Sequence, residues 1–149
     1  MCIRDSISSA QQMHQWGFSL GQKLRAGDLI LLSGPLGAGK TALTQGIGEA
    51  LGISGITSPT FVISRVHSGV LPLVHVDAYR LQGSAAALFD DLDLESLLES
   101  SVVVIEWGDG LVDRLSDQYL AIYLAYGSSE NERELTATGH GPRWKEISL

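Results

Sequence analysis

The sequence predicts an α/β fold, one domain with a mostly parallel central sheet, an antiparallel flank and helices on both faces. Three observations predict it. Leu29–Leu32 and Val102–Ile105 are continuous apolar runs, the pattern of strands buried on both faces of a parallel sheet. A glycine-rich segment beginning at Gly34 joins the first run to a stretch able to form a helix. Further on, Gln118–Tyr126 and Arg133–Thr138 alternate more in hydropathy around Gly127–Asn131, which suggests an antiparallel closing pair.

The remaining elements follow in chain order. Ser9–Arg25 reads as an amphipathic helix with Met13, Trp16, Leu20 and Leu24 on one face. Gly27-Asp28 is a turn ahead of Leu29–Leu32, and a helix from Lys40 to Leu51 stops at Gly52. Thr60–Val66 and Leu71–Val76 read as strands joined by a hairpin connection at His67-Ser68-Gly69. Ser84–Phe89 and Leu94–Glu99 read as helices, the second leading into Val102–Ile105. Residues 1–8 show no pattern and are expected to be a ragged start, and 140–149 a loose tail, of one domain spanning 1–149.

Bulk properties narrow the class. At 149 residues and 44% hydrophobic content the chain can bury an ordinary core. No apolar run approaches the roughly 18 residues that read as a membrane span. No basic segment followed by an apolar stretch opens the chain. The lone Cys2 can form neither an internal disulfide nor a metal cluster. A cytoplasmic protein without membrane contact is the expectation. The formal charge is −7, the 10 Lys and Arg residues are scattered, and Asp90–Glu99 carries five carboxylates. Binding nucleic acid takes clustered cations against the phosphates. If this chain serves RNA, a partner is therefore expected to hold it.

The chemistry starts at Gly34-Pro35-Leu36-Gly37-Ala38-Gly39-Lys40-Thr41, which fits G-x-x-x-x-G-K-[ST] without a mismatch. Glycines let successive backbone N–H groups turn inward as an anion nest, and the helix beginning near Lys40 points its positive end at the same place. In such loops the lysine reaches the β- and γ-phosphates and the hydroxyl, here Thr41, ligates magnesium. A chance glycine loop is the competing explanation, but a random match in a chain this long has a likelihood of about one per cent or less. A P-loop NTPase-like domain that binds ATP with magnesium follows.

The other candidates are individually weaker. Glu106 follows Val102–Ile105 at the carboxyl end of that strand, where ligands of open α/β sheets gather. Asp77 ends Leu71–Val76 in the same manner. Either acid could stand near a metal or could be a solvated strand-end charge. Ser58-Pro59-Thr60-Phe61 offers two hydroxyls beside a rigid proline, suited to sensing a γ-phosphate or to an ordinary turn. His75 alternates with Val74 and Val76 and reads as a strand histidine facing a polar pocket or the surface. Trp107 could stack on a base or fill a core edge. Spacing does not decide Tyr79 or Arg80.

Taken in order, L-S-G-P-L-G-A-G-K-T, T-S-P-T-F, H-V-D-A-Y-R-L and V-I-E-W resemble the TsaE (YjeE) family of bacterial P-loop ATPases, from about Trp16 to Arg133. The resemblance implies a part in threonylcarbamoylation of adenosine 37 in tRNAs that read ANN codons. The ATPase would act on a complex of two partners, TsaB and TsaD, and meet tRNA only indirectly. By position, Gly34, Leu36 and Gly37–Ala42, including Ala38 and Gly39, would wrap the phosphates, with Lys40 as the charge clamp. Thr41 and Glu106 would hold magnesium, Glu106 directly or through water. Asp77 would be a second acid at the metal or the attacking water. Lys40, Asp77 and Glu106 would be the catalytic set. Ser58 and Thr60 would form a switch-like loop, Trp107 would shape the site, and Arg133 would lie near the nucleotide. Pro35, Ala42, Gln45, Gly108-Asp109 and Ser84-Ala85-Ala86-Ala87 depart from the family pattern. Neither Pro35 nor Ala42 removes a donor the phosphates need, so the expected casualty is partner affinity rather than nucleotide binding.

Rival activities fit less well. A small-molecule kinase needs an acceptor pocket and lid arginines, and past Arg80 only Arg114, Arg133 and Arg143 remain. A GTPase needs a guanine-reading N-K-x-D segment, which the sequence lacks. A nucleotide-gated binding module with negligible hydrolysis of its own overlaps with the family role.

Overall fold

A computed structural model describes residues 2–57, 64–78, 90 and 92–149. Its elements are β1 (Cys2–Ile7), α1 (Ala10–Gly21), β2 (Leu29–Ser33), α2 (Lys40–Ala50), β3 (Ser64–His67), β4 (Leu73–Asp77), α3 (Leu94–Ser100), β5 (Val102–Glu106), β6 (Tyr119–Tyr126), β7 (Arg133–His140) and α4 (Pro142–Lys145), with a 3₁₀ turn at Val112–Arg114. The strands form one mixed sheet in the order β1-β7-β6-β2-β5-β4-β3. The central strands β6, β2, β5 and β4 run parallel. Antiparallel pairs close both edges, β6–β7–β1 on one side and β4–β3 on the other. The predicted fold class is the observed one, with a second antiparallel edge.

Alternation along the strands sends successive side chains to opposite faces, and both faces are covered. Ile30 and Leu32 of β2 and Val102 and Val104 of β5 pack with Met13 and Leu20 of α1 and Leu43 and Ile47 of α2. Leu29, Leu31, Val74, Val76, Val103 and Ile105 face the other way and pack with Leu94 and Leu98 of α3 and with Val112. This double burial explains why the central runs carry no polar alternation.

The element boundaries differ modestly from the sequence reading. The first helix starts where Ser9 caps it, its hydroxyl accepting the Gln12 N–H at 3.1 Å, and ends at Gly21 rather than Arg25. The predicted strand Thr60–Val66 is described only as β3, and the predicted helix Ser84–Phe89 lies outside the described residues.

Both ends depart further from expectation. Cys2–Ile7, expected as part of a ragged start, is a strand paired with β7 from Cys2↔Thr138 to Ile7↔Arg133. Asp5 interrupts the alternation between Ile3 and Ile7, which both reach the core, so no pattern shows in the sequence. The expected loose tail contains α4, whose Trp144 is 1% exposed. The Arg143 guanidinium grips Asp28 with both ends, Nε to Oδ1 and Nη2 to Oδ2, each at 2.8 Å. That hydrogen bond raises the Arg143 pKa above its usual range.

The two helices beside the site touch backbone to backbone. A Cβ added at Gly46 of α2 would lie 2.0 Å from the His14 carbonyl oxygen of α1, and one at Gly17 would lie 2.1 Å from the Leu43 carbonyl. Alanine inside a helix ordinarily stabilises by about 1 kcal/mol over glycine. Gly46→Ala should instead destabilise the protein by about 1–3 kcal/mol through overpacking. Urea denaturation of the two forms checks this, and an unchanged or raised midpoint would show that the helices can separate at no cost.

Candidate functional site

The site forms where β2 and β5 end together. Their parallel register sets Leu32 beside Glu106, and that of β4 with β5 sets Asp77 beside Glu106. The loop leaving β2 therefore starts next to both acids. Inside the loop Gly34 has φ 151°, Gly37 φ 78° and Gly39 φ 108°. Gly39 is the position before α2, with no side-chain cap. Its left-handed backbone strains any residue with a Cβ, and it leaves the first N–H groups of α2 without a capping side chain. The Ala38 N–H donates to the Pro35 carbonyl at 3.1 Å, which closes the turn.

Lys40 is the first residue of α2 and is buried. Its ammonium donates to the carbonyls of Gly34 at 2.5 Å and Pro35 at 3.2 Å. It also lies 4.4 Å from the centroid of the Trp107 ring, a cation–π contact. Burial lowers its pKa, against the opposing pull of Glu106 first and Asp77 second. Both acids thus act on the lysine electrostatically.

Trp107 follows Glu106 with φ 59°, a left-handed conformation uncommon outside glycine. Its N–H donates to the Leu32 carbonyl at 3.4 Å. Next to it, Asp109 accepts the Ser33 hydroxyl at 3.1 Å. The β5 exit is thereby tied to the β2 exit, and the half-buried indole lies against the lysine.

On the other side of the loop stands the β6–β7 hairpin. The Tyr126 hydroxyl donates to the Leu36 carbonyl, while the Leu36 side chain is 88% exposed. Arg133 donates to the Gly37 carbonyl at 3.4 Å and lies 5.0 Å from the Tyr126 ring. A cavity of 270 Å³ opens here, lined by Ser8, Ser9, Ala10, Met13, Gly37, Ala38, Gly39, Asn131 and Arg133.

Of the sequence candidates, Gly34, Leu36, Gly37, Ala38, Gly39, Lys40, Thr41 and Ala42 form one continuous loop and helix start. Asp77, Glu106 and Trp107 flank it on the β5 side and Arg133 on the β7 side. Ser58 and Thr60 lie outside the described residues. The departing residue Gln45 donates to the Ile56 carbonyl at 2.8 Å, so it has a structural task of its own. Two residues were undervalued in the sequence. Tyr126 gave no signal, since its partner is a backbone carbonyl distant in the chain. His75 did signal, because it shares a face with Asp77 two positions on, but its partner was hidden. Its Nε2 lies 2.7 Å from Glu106 Oε2.

Comparison with known proteins adds an independent line. The model of the family described as "Threonylcarbamoyl adenosine biosynthesis protein TsaE" matches residues 7–135. A Streptomyces coelicolor protein named tRNA threonylcarbamoyladenosine biosynthesis protein TsaE is 52% identical over 139 residues, covering 89% of this chain and 93% of that one. The Bacillus subtilis protein of the same name is 38% identical over 126 residues, covering 83% and 77%. The crystal structure of Bacillus subtilis YdiB superposes with a TM-score of 0.80 at 31% identity, covering 97% of this chain and 90% of that one.

Proposed function

The chain belongs to the TsaE family, and from that premise we propose that it is a magnesium-dependent ATPase of tRNA threonylcarbamoyladenosine biosynthesis, acting on a TsaB–TsaD complex and not on tRNA itself. One observation carries the reading. A glycine-built loop leads from the end of β2, where Glu106 and Asp77 stand side by side, to the start of α2, with Lys40 within electrostatic reach of both acids.

The residues fit both ligands. At Gly34 a Cβ would come within 2.5 Å of the Leu124 carbonyl, so only glycine lets the loop lie this close to β6. Phosphates would meet the N–H groups of Gly37–Ala42 and the positive end of α2. The Thr41 hydroxyl, Glu106 and Asp77 are hard oxygen donors of the kind magnesium prefers. Among the described residues no group of three or more His, Cys, Asp or Glu forms a metal cage. A magnesium ion that shares phosphate oxygens needs only one or two carboxylates. Bound there, it would neutralise charge on the γ-phosphate.

This chain's own residues then have distinct tasks. Lys40 would exchange its hold on the Gly34 and Pro35 carbonyls for the phosphate oxygens. Asp77 would hold the metal or orient a water for in-line attack on the γ-phosphorus. The base and sugar would extend to the far side of the loop, toward the cavity beside Ser9, Met13 and Arg133. The charge of −7 supports leaving tRNA to the partners. Among the described residues no helix is long and apolar enough to cross a membrane.

The test is phosphate release from ATP, alone and with TsaB and TsaD from the same source. Stimulation by the pair is expected, and phosphoryl transfer to a small acceptor in place of water would replace the reading with a kinase. In the stimulated reaction Lys40→Ala should lower turnover by about 10²–10³-fold, the usual loss when a charge-stabilising donor is removed. Glu106→Gln should keep ATP binding within a few-fold while turnover falls by about 10²-fold. Wild-type turnover in the Glu106 variant would transfer the metal role to Asp77.

A further inference from the structure

His75 and Glu106 form a polar pair inside an otherwise apolar sheet. They are 1% and 4% exposed, and they meet at 2.7 Å. The strands around them supply Leu73, Val102, Val104 and Leu32 on the same face. Burying two polar groups there is costly unless they satisfy each other. An apolar pair of similar volume would serve the sheet equally well or better. Stability therefore does not account for the pair.

The register does. Asp77 stands directly beside Glu106, and His75 stands beside Val104, one pleat further back from the site. His75 thus approaches the carboxylate from inside the sheet, whereas Lys40 and Asp77 lie toward the loop. At 1% exposure the imidazole has no surface with which to touch a nucleotide. Whatever it does for the site passes through Glu106. A carboxylate that ligates a cation is ionised and only accepts hydrogen bonds, so in that state Nε2 carries the hydrogen and donates it to Oε2. That contact fixes one carboxylate oxygen.

We propose that His75 is a positioning residue for the metal: its Nε2–H pins Oε2 of Glu106, so that Oε1 is presented to the divalent cation bound with the nucleotide at the phosphate loop. The inference rests on the reading of Glu106 as a cation ligand.

The experiment measures Mn²⁺ affinity, by electron paramagnetic resonance, in the full chain saturated with a non-hydrolysable ATP analogue. His75→Leu should weaken Mn²⁺ binding by about 10–100-fold, the common effect of losing a partner that orients a metal ligand. His75→Gln, whose amide can donate to the same oxygen, should recover most of that loss. His75→Asn is too short to reach and should behave like the leucine variant, which keeps the test alive if the latter does not fold. In a Glu106→Gln background the His75 changes should add nothing, because residues acting through one contact are not additive. Unchanged Mn²⁺ affinity in both His75→Leu and His75→Asn overturns the proposal, as does an equal further loss in the Glu106→Gln background. If the Mn²⁺ pattern holds while the wild-type protein with TsaB and TsaD hydrolyses no ATP, the ATPase reading fails and His75 keeps its role. If hydrolysis depends on Glu106 and the His75 variants match wild type, His75 alone is refuted.

Discussion

The parallel pairing of β2 with β5 is the constraint on which the site depends. In a parallel ladder both strands finish at the same edge, so whatever follows one lies beside whatever ends the other. Here that juxtaposes the loop after Ser33 with Glu106, and the next strand, β4, delivers Asp77 to the same row. No side-chain contact has to be strong for this to happen. The ladder is held by strands whose residues are almost wholly buried on both faces, and slipping the register by one residue would turn Glu106 into the opposite core.

Such a sheet resists polar residues, and among the described residues Lys40, His75 and Glu106 are buried polar groups at that edge. Lys40 is buried against its own loop carbonyls and an indole, and Glu106 is buried against His75. Each is thereby solvated by protein instead of water, which keeps the groups in place without a ligand. The backbone of Trp107 in the left-handed region belongs to the same economy, since strained residues persist where their surroundings hold them. On the opposite flank Tyr126 and Arg133 hold carbonyls of the loop itself, so the loop is fastened from both sides.

The sequence made the centre legible and the periphery not, for one physical reason. Val102–Ile105 and Leu29–Leu32 announce themselves because burial on two faces leaves a continuous apolar run, and the loop from Gly34 to Gly39 because its conformation demands glycines at fixed spacing. β1 was invisible because Asp5 breaks the alternation of an edge strand that is half-solvated. α4 was invisible because a single turn anchored by Trp144 has no period, and the Arg143–Asp28 pair spans 115 positions. His75 lies between these cases. Alternation set it on the face opposite Val74 and Val76 but left a polar pocket or the surface open; it is buried, and local pattern cannot name a partner 31 residues away on another strand.

The charge at the site bears on what the proposed nucleotide needs. Glu106 and Asp77 oppose the single ammonium of Lys40, whose own proton affinity is already lowered by burial. A triphosphate arriving there would add several negative charges beside two carboxylates. The positive end of α2 offsets about half a unit charge, and Arg133 is engaged with carbonyls on the far flank. The balance stays negative. On the proposed reading a divalent cation held by Glu106 would change the sign of that interaction, because the same carboxylates that would repel the triphosphate would then hold it through the ion. The acids and the cation would in this sense be one device, and fixing a carboxylate oxygen by a buried imidazole would fix where that ion sits.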